Sequence, residues 1–213
     1  PAAGDAGGSL GAALWAHYQL SQTPFHPRPT FRTDLGASYT MEEIKALLID
    51  CKIEHEELGE DWLTHVSADL KDNKVLGFMQ GKFEWGPRAL GNRSILASPA
   101  SSDMAHHVNQ KIKFREAFRP FAPVCLAEEA EKWFSIPSAA KPMLPYMLCC
   151  VPVREEKQEQ IPAVCHVDGT ARLQMVHSHI HPTLHKLLTH VHQDSGIPIL
   201  LNTSFNLKGD SMS

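Results

Sequence analysis

No apolar run in this chain approaches the roughly 20 residues needed to cross a bilayer, and the first residues lack the basic-then-apolar layout of a secretory leader. A cytoplasmic location is the default that follows. The sequence also has no C-x-x-C pair: its five cysteines, Cys51, Cys125, Cys149, Cys150 and Cys165, are odd in number and scattered. That argues against a disulfide framework or a thiolate zinc site and for reduced core thiols. There is no G-x-S-x-G elbow around Ser204 and no H-E-x-x-H, so neither a serine-hydrolase triad nor a zincin helix can be argued. What remains is an ordinary globular balance of 43% hydrophobic and 21% charged residues over 213 positions, enough for one full domain and a fragment.

The net charge of −4 hides an asymmetry. Between Lys82 and Arg119 there are seven Lys or Arg against three Asp or Glu, a balance of +4, which leaves −8 elsewhere. One basic segment in an acidic chain suits a localised anion site better than a broad nucleic-acid surface. Its densest part is Gly81-Lys82-Phe83-Glu84-Trp85-Gly86-Pro87-Arg88-Ala89-Leu90-Gly91-Asn92-Arg93-Ser94. Three glycines and a proline disfavour a regular helix or central strand and let the backbone approach a ligand. Arg88 and Arg93 add planar forks that match phosphate or carboxylate oxygens.

Along the chain, Gly11 to Tyr18 reads as a small-residue helix that could not bury itself alone, so residues 1–20 are assigned to the end of a preceding domain. Three prolines between Ser21 and Ser38 mark a linker, and residues 39–213 form the main domain. Thr40 and Glu43 make a capping box for a helix running to about Leu58. A helix from Asp61 to Asp72 leads to a strand, Lys74 to Met79, which delivers the glycine-arginine loop at its carboxyl end. Further helices are expected at Asp103 to Gln110, Glu128 to Phe134 and Pro182 to Gln193. Strands are expected at Leu144 to Val151, near Ala163 to Val167, and at Ile197 to Leu201. Mixing of the two types, without strict alternation, points to a mixed α/β sheet. The abrupt end at Ser213 suggests a truncated domain.

Four polar clusters interrupt the apolar pattern: the glycine-arginine loop, Lys113 to Pro120, His166 to Arg172, and Asn202 to Asn206. Their convergence on one polyanion is the working expectation. Lys113 and Arg115 share a face if their segment is extended, Arg115 and Arg119 if it is helical. Such cations would neutralise phosphates and stabilise charge developing in phosphoryl or acyl transfer. Asp168-Gly169-Thr170 is a turn that places Arg172 just after it, and His166 is either an acid–base group or a hydrogen-bonded structural histidine. Ser204 reads as a hydrogen-bond donor to a ligand. The histidines at 177, 179, 181, 185, 190 and 192 invite a metal reading, since His181 and His185 lie at i, i+4, but there is no Glu in an H-E-x-x-H arrangement and no cysteine partner nearby, and a polar helix face is favoured.

The pieces EWGPRALGNRSILASP, NQKIKFREAFRPFAP, HVDGTARLQ and ILLNTSFNLKG, in that order, closely resemble the O-carbamoyltransferase family of nodulation-factor and antibiotic carbamoyltransferases. The resemblance covers most of the chain. It implies a YrdC-like carboxyl-terminal domain, similar to threonylcarbamoyladenylate synthase, preceded by a sugar-kinase/actin-like domain. The implied reaction has two steps: carbamoyl phosphate and ATP form carbamoyladenylate here, and the other domain passes the carbamoyl group to a hydroxyl acceptor. Arg88, Lys113, Arg119 and Arg172 match positions expected to bind the phosphates and carbamoyl group, and Asn202 and Ser204 are expected to add hydrogen bonds. Arg93, Arg115 and His166 are second candidates. Asp5 resembles an aspartate that helps bind the metal, expected to be iron, of the preceding domain, and ATP would bring Mg2+. Two rival readings are a threonylcarbamoyladenylate-type synthase and an RNA-binding YrdC-like module. The EWGPRALGNRS and NTSFN pieces count against the first; the acidic remainder and the lack of aromatic interleaving count against the second.

Overall fold

The computed structural model describes residues 2, 4–23 and 31–206; the side chain of Asp5, and with it the metal role expected of that residue, lies outside the described residues. The elements in order are α1 (Asp5–Ser21), α2 (Met41–Asp50), α3 (Trp62–Lys71), β1 (Leu76–Met79), β2 (Arg93–Ala97), α4 (Ser102–His107), β3 (Ala122–Leu126), α5 (Ala130–Trp133), β4 (Val151–Pro152), α6 (Glu155–Gln158), β5 (Thr170–Ala171), β6 (Gln174–Val176), α7 (Pro182–Ser195) and β7 (Ile199–Ser204). Short 3-10 or π turns fill several connections.

Five strands form one mixed sheet in the order β1-β2-β7-β3-β6. The β3–β6 pair is parallel and the other three are antiparallel. A separate two-stranded sheet pairs β4 with β5. The main sheet is covered on both faces, which is why β2 and β3 are buried along their whole length. On one face Leu96, Val124, Val176 and Leu200 pack against Leu70 of α3 and the stripe Leu184, Leu187, Leu188 and Val191 of α7. That stripe recurs at helical spacing, and each such side chain contributes about 1.5–3 kcal/mol on full burial. On the other face Ala97, Cys125, Ile199 and Leu201 pack with Met104, Phe134 and Leu144. All five cysteines are free, and burial pushes the Cys125 thiol above its ordinary range.

The mixed α/β class is as expected, and α3, β1 and α7 fall close to their expected places. The Thr40–Glu43 capping box is present, with Glu43 N–H donating to Thr40 Oγ1 and Thr40 N–H to Glu43 Oε2. The α2 helix stops at Asp50, however, because Lys52 takes a left-handed conformation (φ 54°) that turns the chain well before Leu58. The strand expected over Leu144 to Val151 does not form. Pro142 and Pro145 remove backbone donors, and Ser138–Tyr146 coils as 3-10 turns, leaving only β4. Ala163 to Val167 is likewise no strand, since Pro162 opens a 3-10 turn. The α4 helix gives way to a π turn over Val108–Ile112. Two central strands were not anticipated: β2 begins inside the glycine-arginine segment, and β3 contains Pro123, a residue that argues against an interior strand. Pro123 is tolerated because the β3–β6 ladder starts one residue later, at Val124 and Gln174.

Helix α1 runs from Asp5, longer than the sequence suggested, with Trp15 and Leu20 left exposed. Among the described residues no helix is long and apolar enough to cross a membrane.

Candidate anion site

The open ends of β2 and β7 lie side by side, with Ser94 opposite Ser204 and Leu96 opposite Asn202. Three loops gather there, and a small cavity of about 100 Å³ opens among Arg88, Arg115, Arg172, Asn202, Thr203 and Ser204, floored by Phe121, Ala122 and Met147. Among the described residues no acidic side chain lines it. Five of the residues singled out in sequence, drawn from all four polar clusters, therefore share one wall.

Each arrives by a different local device. Arg172 sits in the two-residue link between β5, in the small sheet, and β6, in the large one. Burial pulls its guanidinium below the ordinary range, and Arg88 and then Arg115 lower it further, opposed by Cys150. Its Nε is buried without a hydrogen-bond partner among the described residues. Arg115 follows the π turn and is anchored by Asn109, whose Oδ1 accepts from Arg115 Nε at 2.6 Å. The same Asn109 donates through Nδ2 to the carbonyls of Ala117 at 3.3 Å and Arg119 at 3.0 Å, so one fully buried amide holds the whole basic segment. Arg115 also stacks over Phe121, with its guanidinium carbon 4.7 Å from the ring centre.

Asn202 is buried in β7. Its Nδ2 donates to Ala89 O at 3.0 Å and to Gln174 Oε1 at 2.8 Å, while Gln174 Nε2 donates to Leu90 O at 2.6 Å. The Asn202 Oδ1 has no partner among the described residues. Buried polar atoms without partners are rare in folded proteins, and two of them, Arg172 Nε and Asn202 Oδ1, belong to residues of this one wall.

Lys113 reaches the same strand end without lining the cavity. Its Nζ donates to the Ser204 carbonyl, to Ser204 Oγ at 3.2 Å, and to Asn206 O and Oδ1, both at 2.9 Å. Burial, then Arg115, lowers the Lys113 amine to about 8. The alternative faces weighed for Lys113, Arg115 and Arg119 both fail: Phe114 between the first two adopts φ 46° and breaks an extended run, and residues 115–119 form bends and turns rather than a helix.

The other sequence candidates are placed elsewhere. Arg119 is exposed and pairs with Glu116 at 2.9 Å. Arg93 turns away into the glycine loop, where it donates to Gln80 O at 2.8 Å, Asn92 O at 2.7 Å and Gly81 O at 3.4 Å, and lies 3.9 Å over the Phe83 ring. His166 closes the Asp168-Gly169-Thr170 turn, with Nδ1 3.1 Å from Thr170 Oγ1, and burial lowers its pKa against the opposing pull of Asp168. In the histidine-rich stretch, His185 Nε2 meets Glu128 Oε1 at 2.7 Å and His190 lies 3.6 Å from Asp194. Among the described residues no three His, Cys, Asp or Glu are grouped to hold a metal ion.

Sequence reasoning missed Asn109, Gln174 and the part played by Glu84. Polar residues inside apolar runs, as in Leu173-Gln174-Met175-Val176, were the available signal for the first two.

Comparison with known proteins agrees with the motifs. The family described as Carbamoyltransferase C-terminus matches residues 67–213. The nodulation protein NolNO of Sinorhizobium fredii is 41% identical over 97% of this chain and 30% of its own length. The nodulation protein NolO of Bradyrhizobium diazoefficiens is 39% identical over 97% of this chain and 38% of its own. Among solved structures, full-length HypF in its phosphate- and nucleotide-bound form superposes with a TM-score of 0.48 at 15% identity, covering 75% of this chain and 19% of that one. The chain thus spans about a third of the curated relatives it matches, 30% and 38% in these two cases. From the matched motifs and the extent of the alignment, the chain belongs to the carbamoyltransferase family and represents its carboxyl-terminal region.

Proposed function

We propose that this chain is the activating part of an ATP-dependent O-carbamoyltransferase. In this reading it binds carbamoyl phosphate and ATP, cleaves the former with one water into carbamate and inorganic phosphate, and lets the carbamate oxygen attack the α-phosphorus of ATP. Pyrophosphate leaves and carbamoyladenylate forms. A hydroxyl acceptor bound in the preceding domain then attacks the carbamoyl carbon, with AMP as the leaving group.

One observation carries the reading. Arg88, Arg115 and Arg172 converge on a cavity whose wall, among the described residues, has no carboxylate, and Arg172 keeps a buried N–H with no partner among those residues. Mutual repulsion makes that arrangement costly unless an anion completes it. Planar guanidinium forks suit phosphate oxygens, and preorganised cations stabilise the charge that builds up during transfer. Asn202 and Ser204 supply polar atoms beside them. Mg2+ would travel on the nucleotide phosphates, since the wall offers it no carboxylate. The iron assigned by resemblance to the preceding domain enters none of these steps.

Incubation of the full-length protein with carbamoyl phosphate and γ-labelled ATP tests the proposal. Pyrophosphate release that depends on carbamoyl phosphate is expected. Release of none, with both substrates saturating, refutes it.

A further inference from the structure

The position of Arg88 needs a cause of its own, because among the described residues its guanidinium makes no hydrogen bond or ion pair while its neighbours are held tightly. Residues 84–93 form a loop that closes around its own carboxylate. Glu84 Oε1 accepts from Leu90 N–H at 2.8 Å and from Asn92 N–H at 3.1 Å, and Oε2 accepts from Arg93 N–H at 3.3 Å. From the sheet side, Asn202 and Gln174 grip the carbonyls of Ala89 and Leu90. Asn92 Nδ2 ties the loop to Lys82 O at 2.9 Å, and Gln80 Nε2 ties it to Gly91 O at 2.9 Å. The loop is therefore pinned on both flanks, with Arg88 in the span between them.

We propose that Glu84 is a positioning residue: its carboxylate gathers the Leu90, Asn92 and Arg93 amides and so fixes where Arg88 presents its guanidinium to a bound anion. The chemistry favours a carboxylate for this. Three N–H donors arriving from one side need two acceptor oxygens with free lone pairs, and an ionised Glu has acceptors only. A glutamine in its place would turn an NH2 group toward one of the amides. Glu84 has no ion-paired partner among the described residues, although Arg93 lies close enough to favour its charged form. Burial works against that form and raises the carboxyl to about 7. The carboxylate is retained at this cost, as expected of a group whose bonds to the loop matter.

The anion readout of the test rests on the function proposed above; a second readout does not. Binding of inorganic phosphate is compared in the wild type, Glu84→Gln, Arg88→Ala and the double variant, with thermal unfolding to establish that each is folded. Glu84→Gln is expected to weaken phosphate binding roughly tenfold, the scale of one charge-assisted hydrogen bond, and to add nothing once Arg88 is alanine. Unchanged affinity, or losses that simply add, overturns the proposal. Separately, phenylglyoxal labelling of Arg88, read by mass spectrometry without any ligand, is expected to change rate in Glu84→Gln while labelling of Arg115 does not. Equal Arg88 rates overturn the positioning role. Should the wild type bind no phosphate, the anion site falls, and the labelling still decides the role of Glu84. If Glu84→Gln does not fold, hydrogen exchange in the wild type decides it: protection of the Leu90, Asn92 and Arg93 amides supports the proposal, and free exchange overturns it.

Discussion

Replacing Arg172 with methionine should make the ligand-free protein more stable and its anion complex weaker. Methionine keeps most of the aliphatic stem that packs between β5 and β6 and removes the guanidinium. In the folded chain that guanidinium leaves Nε–H buried without a partner and sits near Arg88 and Arg115. An unsatisfied buried donor costs about 1–3 kcal/mol, so a net gain of about 1 kcal/mol is expected after allowing for imperfect repacking. In a chain of this size that raises Tm by roughly 2–4 °C. With phosphate present the order reverses. The lost charge-assisted hydrogen bond is worth about 1.5–3 kcal/mol, or roughly ten- to hundredfold in affinity. At one hundred times its Kd, phosphate stabilises the wild type by about 2.7 kcal/mol, most of which the variant would forgo. Urea denaturation of both proteins, with and without phosphate, gives all four numbers. Destabilisation of Arg172→Met by more than about 1 kcal/mol in phosphate-free buffer would show that the guanidinium serves the fold, and would refute the account of a preorganised but unsatisfied receptor.

Two further outcomes concern residues beside that wall. Gly91 lies at φ 117°, and a Cβ there would come within 2.5 Å of Leu184 Cδ2, so Gly91→Ala should cost about 1–3 kcal/mol in chemical denaturation; an unchanged midpoint would contradict the close approach of loop and α7. Sulfate, which does not titrate in this range, should bind more weakly as pH rises through about 8, because Lys113 gives up its proton there. Lys113→Gln should flatten that profile, and a profile that survives the substitution assigns the titration to another group. The sign for stability is opposite. A lysine depressed from 10.5 contributes stability that is present above that value and lost as pH falls through about 8.

Much of the site was legible because its chemistry depends on residue types. Arginines spaced through glycine-rich or apolar segments have few purely structural uses, and four of the polar runs named in sequence do meet. The division of labour among them was not legible. Arg88 and Arg93 are five residues apart in one loop, yet one lines the cavity and the other is spent on the carbonyls of Gln80, Gly81 and Asn92. Arg115 and Arg119 differ in the same way, because Asn109 captures only the first through its side chain. Strand assignments failed for a related reason. Pro123 sits inside β3, and its missing N–H falls beyond the end of the β6 ladder, a fact of register that no local propensity encodes.

The sequence alone determined the mixed α/β class, the amphipathic stripe of α7, the capped start of α2 and the four polar clusters, since each follows from periodicity or side-chain chemistry over a few residues. Only the tertiary structure decided which cations face one another, which carboxylate closes the glycine loop, and which polar atoms stay unpaired. Those depend on distances between segments up to 113 residues apart, as from Asn202 to Ala89, and the sheet pairing of β2 with β7 sets those distances.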